Sequence, residues 1–382
     1  MPRIDPAMLD HLREQVDPDA DRLAIHYLDR PASDMFTGVL AARYSGTDMV
    51  DDHIAAWIED RPELPAWADT ARMARGAAFF AEWGIELGLG LFLSSLPLAY
   101  AAHDGVQVLA LTSRLETDTK RRVLESAQFV LDVTTPGALE LGEQAYDTVR
   151  FVRLMHAGVR HLILTDPRVP RTTDESVWPR WDDSWGKPIN QEHLIGAMIS
   201  YSSSLLHVLD RLHVTYDEGG ASDYCHLWNV VGWLLGIDAH LLPFERPELD
   251  ELELLIRQHN EKPSEAGTAM TVALIDLVKS FIRVPPLRGL AVSTMRLFIG
   301  DPTADLLHVP KANWTRHLVG GMRGISHRMS LATMHDKMVR RVVSRLSRFT
   351  LQGFVEHERH GGRPKFVVPD HLSPKWDIPP TY

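Results

Sequence analysis

The segment Thr148-Val-Arg-Phe-Val-Arg-Leu-Met-His-Ala-Gly-Val-Arg-His-Leu-Ile-Leu164 decides how the rest of the chain is read. Wound as an α-helix, it places Val149, Val152, Val159 and Ile163 on the face of His156. A histidine therefore sits in the middle of an apolar stripe, with Arg153 and Arg160 about one turn before and after it. His161 points elsewhere on the wheel and reads as a polar neighbour, not a ligand. Imidazole is the usual proximal ligand where haem iron keeps a site for oxygen, the haem ring needs an apolar wall, and its propionates need cations. One helical face offers all three. The same spacing is also, and more often, that of a hydrogen-bonded core histidine beside surface arginines.

Helical periodicity extends in both directions from this segment. Thr117 to Val133 repeats apolar residues at helical spacing until Pro136-Gly137, and the His156 helix runs from Leu139 or Gly142 to a stop at Asp166-Pro167. Upstream, the first ~70 residues are periodic but broken by Pro31, Pro62 and Pro65. Ala71 to Ala102 then reads as one or two core helices interrupted by Gly88, Gly90 and Pro97. Downstream, Thr165 to Lys187 is rich in Pro, Asp and Trp without periodicity, a loop of the length that serves as lid or linker. Asn190 caps a helix with Glu192 in its first turn and Leu194, Met198, Leu205, Leu209 and Leu212 on one face.

Asp217-Glu218 leads into a helix from Ser222 to Leu235 that stops at Gly236, and Ser264-Glu265 opens one through Ile282. Further helices are predicted over Leu287 to Ile299 and His335 to Leu346. Gly353 to Val368 alternates around His360-Gly361-Gly362 as a hairpin or extended tail. The expected architecture is all-α: a helical extension over 1–75, one large helical domain over 76–350 and a short C-terminal segment over 351–382.

Composition narrows the function. The 382 residues are 45% hydrophobic and 24% charged, ordinary globular values, and the net charge of -11 offers no cationic field to a nucleic acid or an anionic membrane. A neutral or apolar small molecule is the better partner. The single cysteine, Cys225, excludes an internal disulfide, a cysteine-ligated iron–sulfur cluster and the paired attachment of a c-type haem. Met1 to Asp21 lacks a signal-like apolar run, so a cytoplasmic protein is expected. Leu87 to Ala102 falls short of the roughly 20 residues that span a bilayer and reads as a core helix. No H-E-x-x-H, G-x-S-x-G, P-loop or strand-linked G-x-G-x-x-G occurs, which argues against zinc hydrolases, nucleophile-elbow esterases and nucleotide folds.

The preceding helix carries Arg121-Arg122-Val-Leu-Glu125-Ser126-Ala-Gln-Phe129. Arg122, Glu125, Ser126 and Phe129 share one face, where a guanidinium, a carboxylate and a hydroxyl can orient oxygen or relay a proton. Such a pair is also the pattern of an ordinary intrahelical ion pair.

Taken in order, four places resemble the haem-dependent oxygenase family of MpaB and latex clearing protein, a rubber oxygenase. They are Arg122-x-x-Glu125-Ser126, Arg153-x-x-His156-x-x-Val159-Arg160, Trp185-Gly-Lys-Pro-Ile-Asn-Gln-Glu-His-Leu194 and His226-Leu-Trp-Asn-Val-Val-Gly-Trp-Leu-Leu-Gly236. Ser264-Glu-Ala-Gly267 and Val368-Pro-Asp-His-Leu372 to Trp376 extend the similarity. The resemblance implies a globin-like helical core around haem b, His156 as the iron's proximal ligand and Arg153 beside it. It further implies Arg122, Glu125 and Ser126 on the oxygen-binding side. It implies oxidation, by cleavage or hydroxylation, of a small apolar, prenyl-like substrate with O2. A non-enzymatic haem sensor or carrier is the alternative. The chain departs from the pattern at Glu125-Ser126, where rubber oxygenases of the latex clearing type have lysine then threonine. A lysine can ligate iron; a glutamate is a weaker ligand and a better base.

Overall fold

The computed structural model of the chain describes residues 4–28, 57, 60–112, 115–311, 314–335, 344–345, 350 and 352–353. Among these no named strand occurs, and two isolated bridges, Ala102 with Glu261 and Arg171 with Trp181, are the only extended pairings. The fold is all-helical, as the periodicity requires.

The helices are α1 (Pro6–Leu12), α2 (Pro18–Leu28), α3 (Thr70–Glu82), α4 (Gly84–Gly90), α5 (Leu96–Ala101), α6 (Gly105–Leu111), α7 (Leu115–Val133) and α8 (Gln144–Thr165). After a long loop come α9 (Gln191–Tyr201), α10 (Ser203–Arg211), α11 (Glu218–Leu234), α12 (Arg246–Asn260), α13 (Glu265–Phe281), α14 (Gly289–Ile299), α15 (Asp301–Leu306) and α16 (Thr315–His335). A π-turn over Leu91–Ser95 joins α4 to α5 without a break. Side-chain caps start several helices where the sequence asks for them. Asp69 accepts from the amides of Ala71 and Arg72, Asn190 from His193, Asp217 from Gly220 and Ser264 from Gly267.

Helix α11 is the axis of the molecule, with residues from Ala221 to Leu234 almost all buried. Its main partner is α3. The two backbones meet at Gly76, where any β-carbon would collide with the carbonyl of Asp223. Helices α9 and α8 pack on the other sides of α11, α2 lies along α8, and α7 and α5 lean on α13. Ile4, Leu9 and Leu12 of the N-terminal segment belong to the same hydrophobic cluster as α11, and α3 runs through residue 75.

The helix expected onward from Asn190 is interrupted at Ser202, whose backbone (φ -112, ψ -96) turns α10 away from α9. The helix expected from Leu287 starts at Gly289, because Pro285 and Pro286 confine the preceding turn to a 3-10 geometry. Helical residues expected over 335–346 and the hairpin expected over 353–368 fall, isolated positions apart, outside the described residues. The run Gly84–Ala101 is long and apolar enough to cross a membrane by length and composition, and 61% of it is buried inside the protein.

The long loop does not cover a pocket. Its Trp181 is fully buried against Val108, Leu111 and Ile163, donates to the carbonyl of Gly186 at 3.3 Å and meets Trp185 edge-on. The loop is therefore a buttress outside α6 and α8: Trp181 enters the core with Trp185 against it, Trp178 is exposed, and no residue from Thr165 to Lys187 lines the cavity described below.

Candidate functional site

One cavity of about 490 Å³ lies between α5, α6, α7, α8, α9, α11 and α12. Its size is that of a site for a cofactor or drug-sized ligand, and most of its wall is aliphatic or aromatic. Four of the residues singled out in the sequence meet there: Arg122, Glu125 and Ser126 from α7 and His156 from α8. Val152, Met155 and Val159 surround His156 on the same wall, as the helical spacing requires.

His156 is partly buried, facing the cavity from its wall, and burial, with the nearby Arg160 charge, holds its pKa down to about 4. It is therefore a neutral imidazole at physiological pH. Its Nδ1 is buried and makes no hydrogen bond among the described residues. An unsatisfied buried ring nitrogen costs roughly 1–3 kcal/mol, so a histidine kept for packing alone would be expected to find a partner.

On α7, the ion pair to Glu125 comes from Arg121, whose NH1 lies 3.4 Å from Oε1. Arg122 instead donates to the carbonyl and hydroxyl of Thr112, both at 3.2 Å, closing the C-terminal end of α6. Glu125 is buried at the cavity wall. Ser126 hydrogen-bonds the Tyr201 phenol, whose pKa burial raises. Tyr100, also on the wall, has its phenol pushed up by burial while the charge of Arg122 pulls it back.

Arg153 and Arg160 are not on the cavity wall. Arg153 makes a two-bond ion pair with Asp17, one bond at 2.7 Å, and Arg160 pairs with Asp21 while donating to the carbonyls of Pro188 at 2.9 Å and Ile189 at 2.6 Å. They are thus not placed to meet propionates inside the cavity as their positions beside His156 led one to expect; their contacts hold the His156 helix against Asp17, Asp21 and the entry to α9.

Helices α9 and α12 add a polar rim. Glu192, His193, Glu253, Arg257, Asn260 and Glu261 all line the cavity. Glu192 is fixed by Asn260 (2.8 Å), His259 (2.7 Å) and Arg13 (2.7 Å). Asp104 stands 3.5 Å from both Arg13 and His193, and its carboxyl is held well below the ordinary range by His193 and Arg13, against the opposing effect of burial. Glu192 and His193 were visible as part of a motif, but their meeting with Asn260 depends on the packing of two distant helices.

Residues 72–327, more than half of the chain, match the model of a family described as ER-bound oxygenase mpaB/B'/rubber oxygenase, catalytic domain. The chain belongs to this oxygenase family. Among its relatives is the rubber oxygenase of Streptomyces sp. (strain K30), 23% identical over 262 residues that make up 67% of this chain. The chain spans only 60% of that relative's length. The solved structure of latex clearing protein in the closed state superposes with a TM-score of 0.69 over 96% of this chain and 95% of that one, at 19% identity. The oxygenase-family fold thus extends beyond the matched domain to nearly the whole chain.

Proposed function

We propose that the protein is a haem b-dependent oxygenase acting with O2 on a small, largely apolar organic substrate of prenyl-like character. The observation that carries this reading is His156: neutral, partly buried, without a partner on Nδ1 among the described residues, and set in the wall of a large apolar cavity. A b-type haem fits this donor set, which offers the His156 imidazole on the apolar wall, with His193 at the rim beside Asp104, and no cysteine, in a cavity whose greasy walls suit a porphyrin. His156 would hold the iron. When bound, haem supplies the oxygen chemistry, and the protein sets axial ligand, orientation and dryness.

The chain's own residues then have separable tasks. Arg122 presents a fixed positive charge at the wall, anchored through Thr112. Glu125, beside Arg121, can hold or move a proton at its carboxylate. The Ser126 hydroxyl, bonded to Tyr201, supports that corner. Leu96, Leu98, Val123, Phe129 and Leu235 exclude water and select for an apolar substrate.

The test is the visible spectrum of purified protein with a pyridine haemochrome assay, run beside His156→Ala. A Soret band with about one b-type haem per chain, lost or shifted in the variant, is the expected result. Protein that comes haem-free from haem-replete cells and takes up no added hemin would refute the reading.

A further inference from the structure

We propose that Asp17, just before α2, and Asp21 on its first turn are positioning residues for His156, acting through Arg153 and Arg160. The proposal rests on the reading of His156 as the cofactor-holding residue. It concerns a segment that lies outside the matched catalytic domain of residues 72–327.

The two helices are built as complementary edges. Asp17 at the start of α2 and Ala20, Asp21 and Ala24 within it follow one face; on α8, Arg153, Ala157 and Arg160 do the same. Ala20, Ala24 and Ala157 form a fully buried cluster of their own. Small side chains there bring the backbones close, with Asp17 on Arg153 at one end and Asp21 on Arg160 at the other. His156 lies between the two arginines and next to Ala157, so both flanks of its helical turn are tied to α2.

The joints reach further. Gly236, at φ +95 just past α11, sits against the Asp17–Arg153 pair so closely that a β-carbon would overlap the Asp17 carboxylate. Its carbonyl accepts from the Gln191 side chain at 2.9 Å. Arg160 spends its remaining donors on Pro188 and Ile189, and Ile189 lines the cavity. The acid pair at the start of α2 thereby locks α8, the end of α11 and the entry to α9 into one arrangement around the imidazole.

This assignment makes the arginines unavailable as counter-ions within the cavity and gives the N-terminal segment a task. The deciding experiment is hydrogen exchange on hemin-free full-length protein. In the Asp17→Asn/Asp21→Asn variant, amides from Val152 to Val159 should exchange at least tenfold faster than in wild type, while those of Tyr224 to Val231 stay unchanged. If the double variant does not fold, Asp21→Asn alone is read in the same way. A second readout is the rate at which loaded protein loses hemin to an excess of apomyoglobin, which should rise at least tenfold. Equal exchange on α8 in variant and wild type overturns the proposal. Wild-type protein that takes up no hemin overturns the haem reading instead, and leaves the exchange result to decide the anchoring.

Discussion

Tyr201 stacks on Trp228, ring centroids 5.1 Å apart and planes within 12°, and both rings form part of the wall of the cavity that contains His156. The stack ties α9 to α11 and shapes the apolar end of the site. Tyr201→Ala removes a large ring and its stacking partner's support, and should lower stability by about 3 kcal/mol in urea unfolding. Tyr201→Phe keeps the stack and loses only the bond to Ser126, so a loss of about 1 kcal/mol is expected. Equal losses for the two would show that the stack contributes little.

The partly buried His156 gives the haem-free protein a definite acid sensitivity. Its native pKa of about 4 lies below the free value of 6.5, so the unfolded chain binds the proton more readily. The resulting penalty is absent above the free value and complete once the pH has fallen through the native one. Unfolding free energies measured from pH 8 down to 3.5 should fall over that window, on the order of 3 kcal/mol from this group. His156→Ala should flatten that part of the curve.

His207 predicts the opposite limb. Bonding to Asp250 and Glu253 raises its pKa to about 10, so the stabilisation is complete below the free value and is lost as pH rises through about 10. The ring is half-exposed, which dilutes the effect. Histidine NMR titration should show one ring still protonated at pH 8.5, and His207→Gln should remove that signal.

Glu125 separates chemistry from binding. Glu125→Gln keeps size and polarity at the wall but removes the base, and should cut oxygen consumption with a turned-over substrate by about 10²–10⁴-fold. Hemin uptake should change by less than about twofold, because His156 and not Glu125 would hold the group. A comparable loss of both would mean that Glu125 shapes the cavity and moves no proton.

The buttress loop has its own test. Trp181 is fully buried where the loop meets α6 and α8, so Trp181→Ala should destabilise the protein by about 3–5 kcal/mol. A surface lid would lose almost nothing on this substitution, and calorimetry distinguishes the two.

What the sequence made legible was local. The face of α7 carrying Arg122, Glu125 and Ser126 and the face of α8 carrying His156 follow from helical spacing, and both meet at the cavity. Caps at Asn190 and Ser264 follow from one residue and the pattern after it. The partners of Arg153 and Arg160 could not be read this way, because Asp17 and Asp21 stand 136 and 139 positions away in the chain. The residue types announced two cations that needed anions; only packing decided which anions. The contact of Glu192 with Asn260 was hidden for the same reason, since their side chains meet across 68 positions.

The π-turn at Leu91–Ser95 sets the phase of everything after it. A widened turn inserts one residue into an otherwise continuous helix, and one residue corresponds to about 100° of rotation. Closing the turn into regular winding at unchanged length would swing Ser95, Leu98 and Tyr100 away from the cavity they line. The apolar run from Gly84 to Ala101 thus has two azimuths in place of one: its first half faces α10, its second half faces the site. Loss of the widened turn at constant length therefore turns the wall of the site out of register, whereas removal of its one extra residue lets the helix close with that register kept.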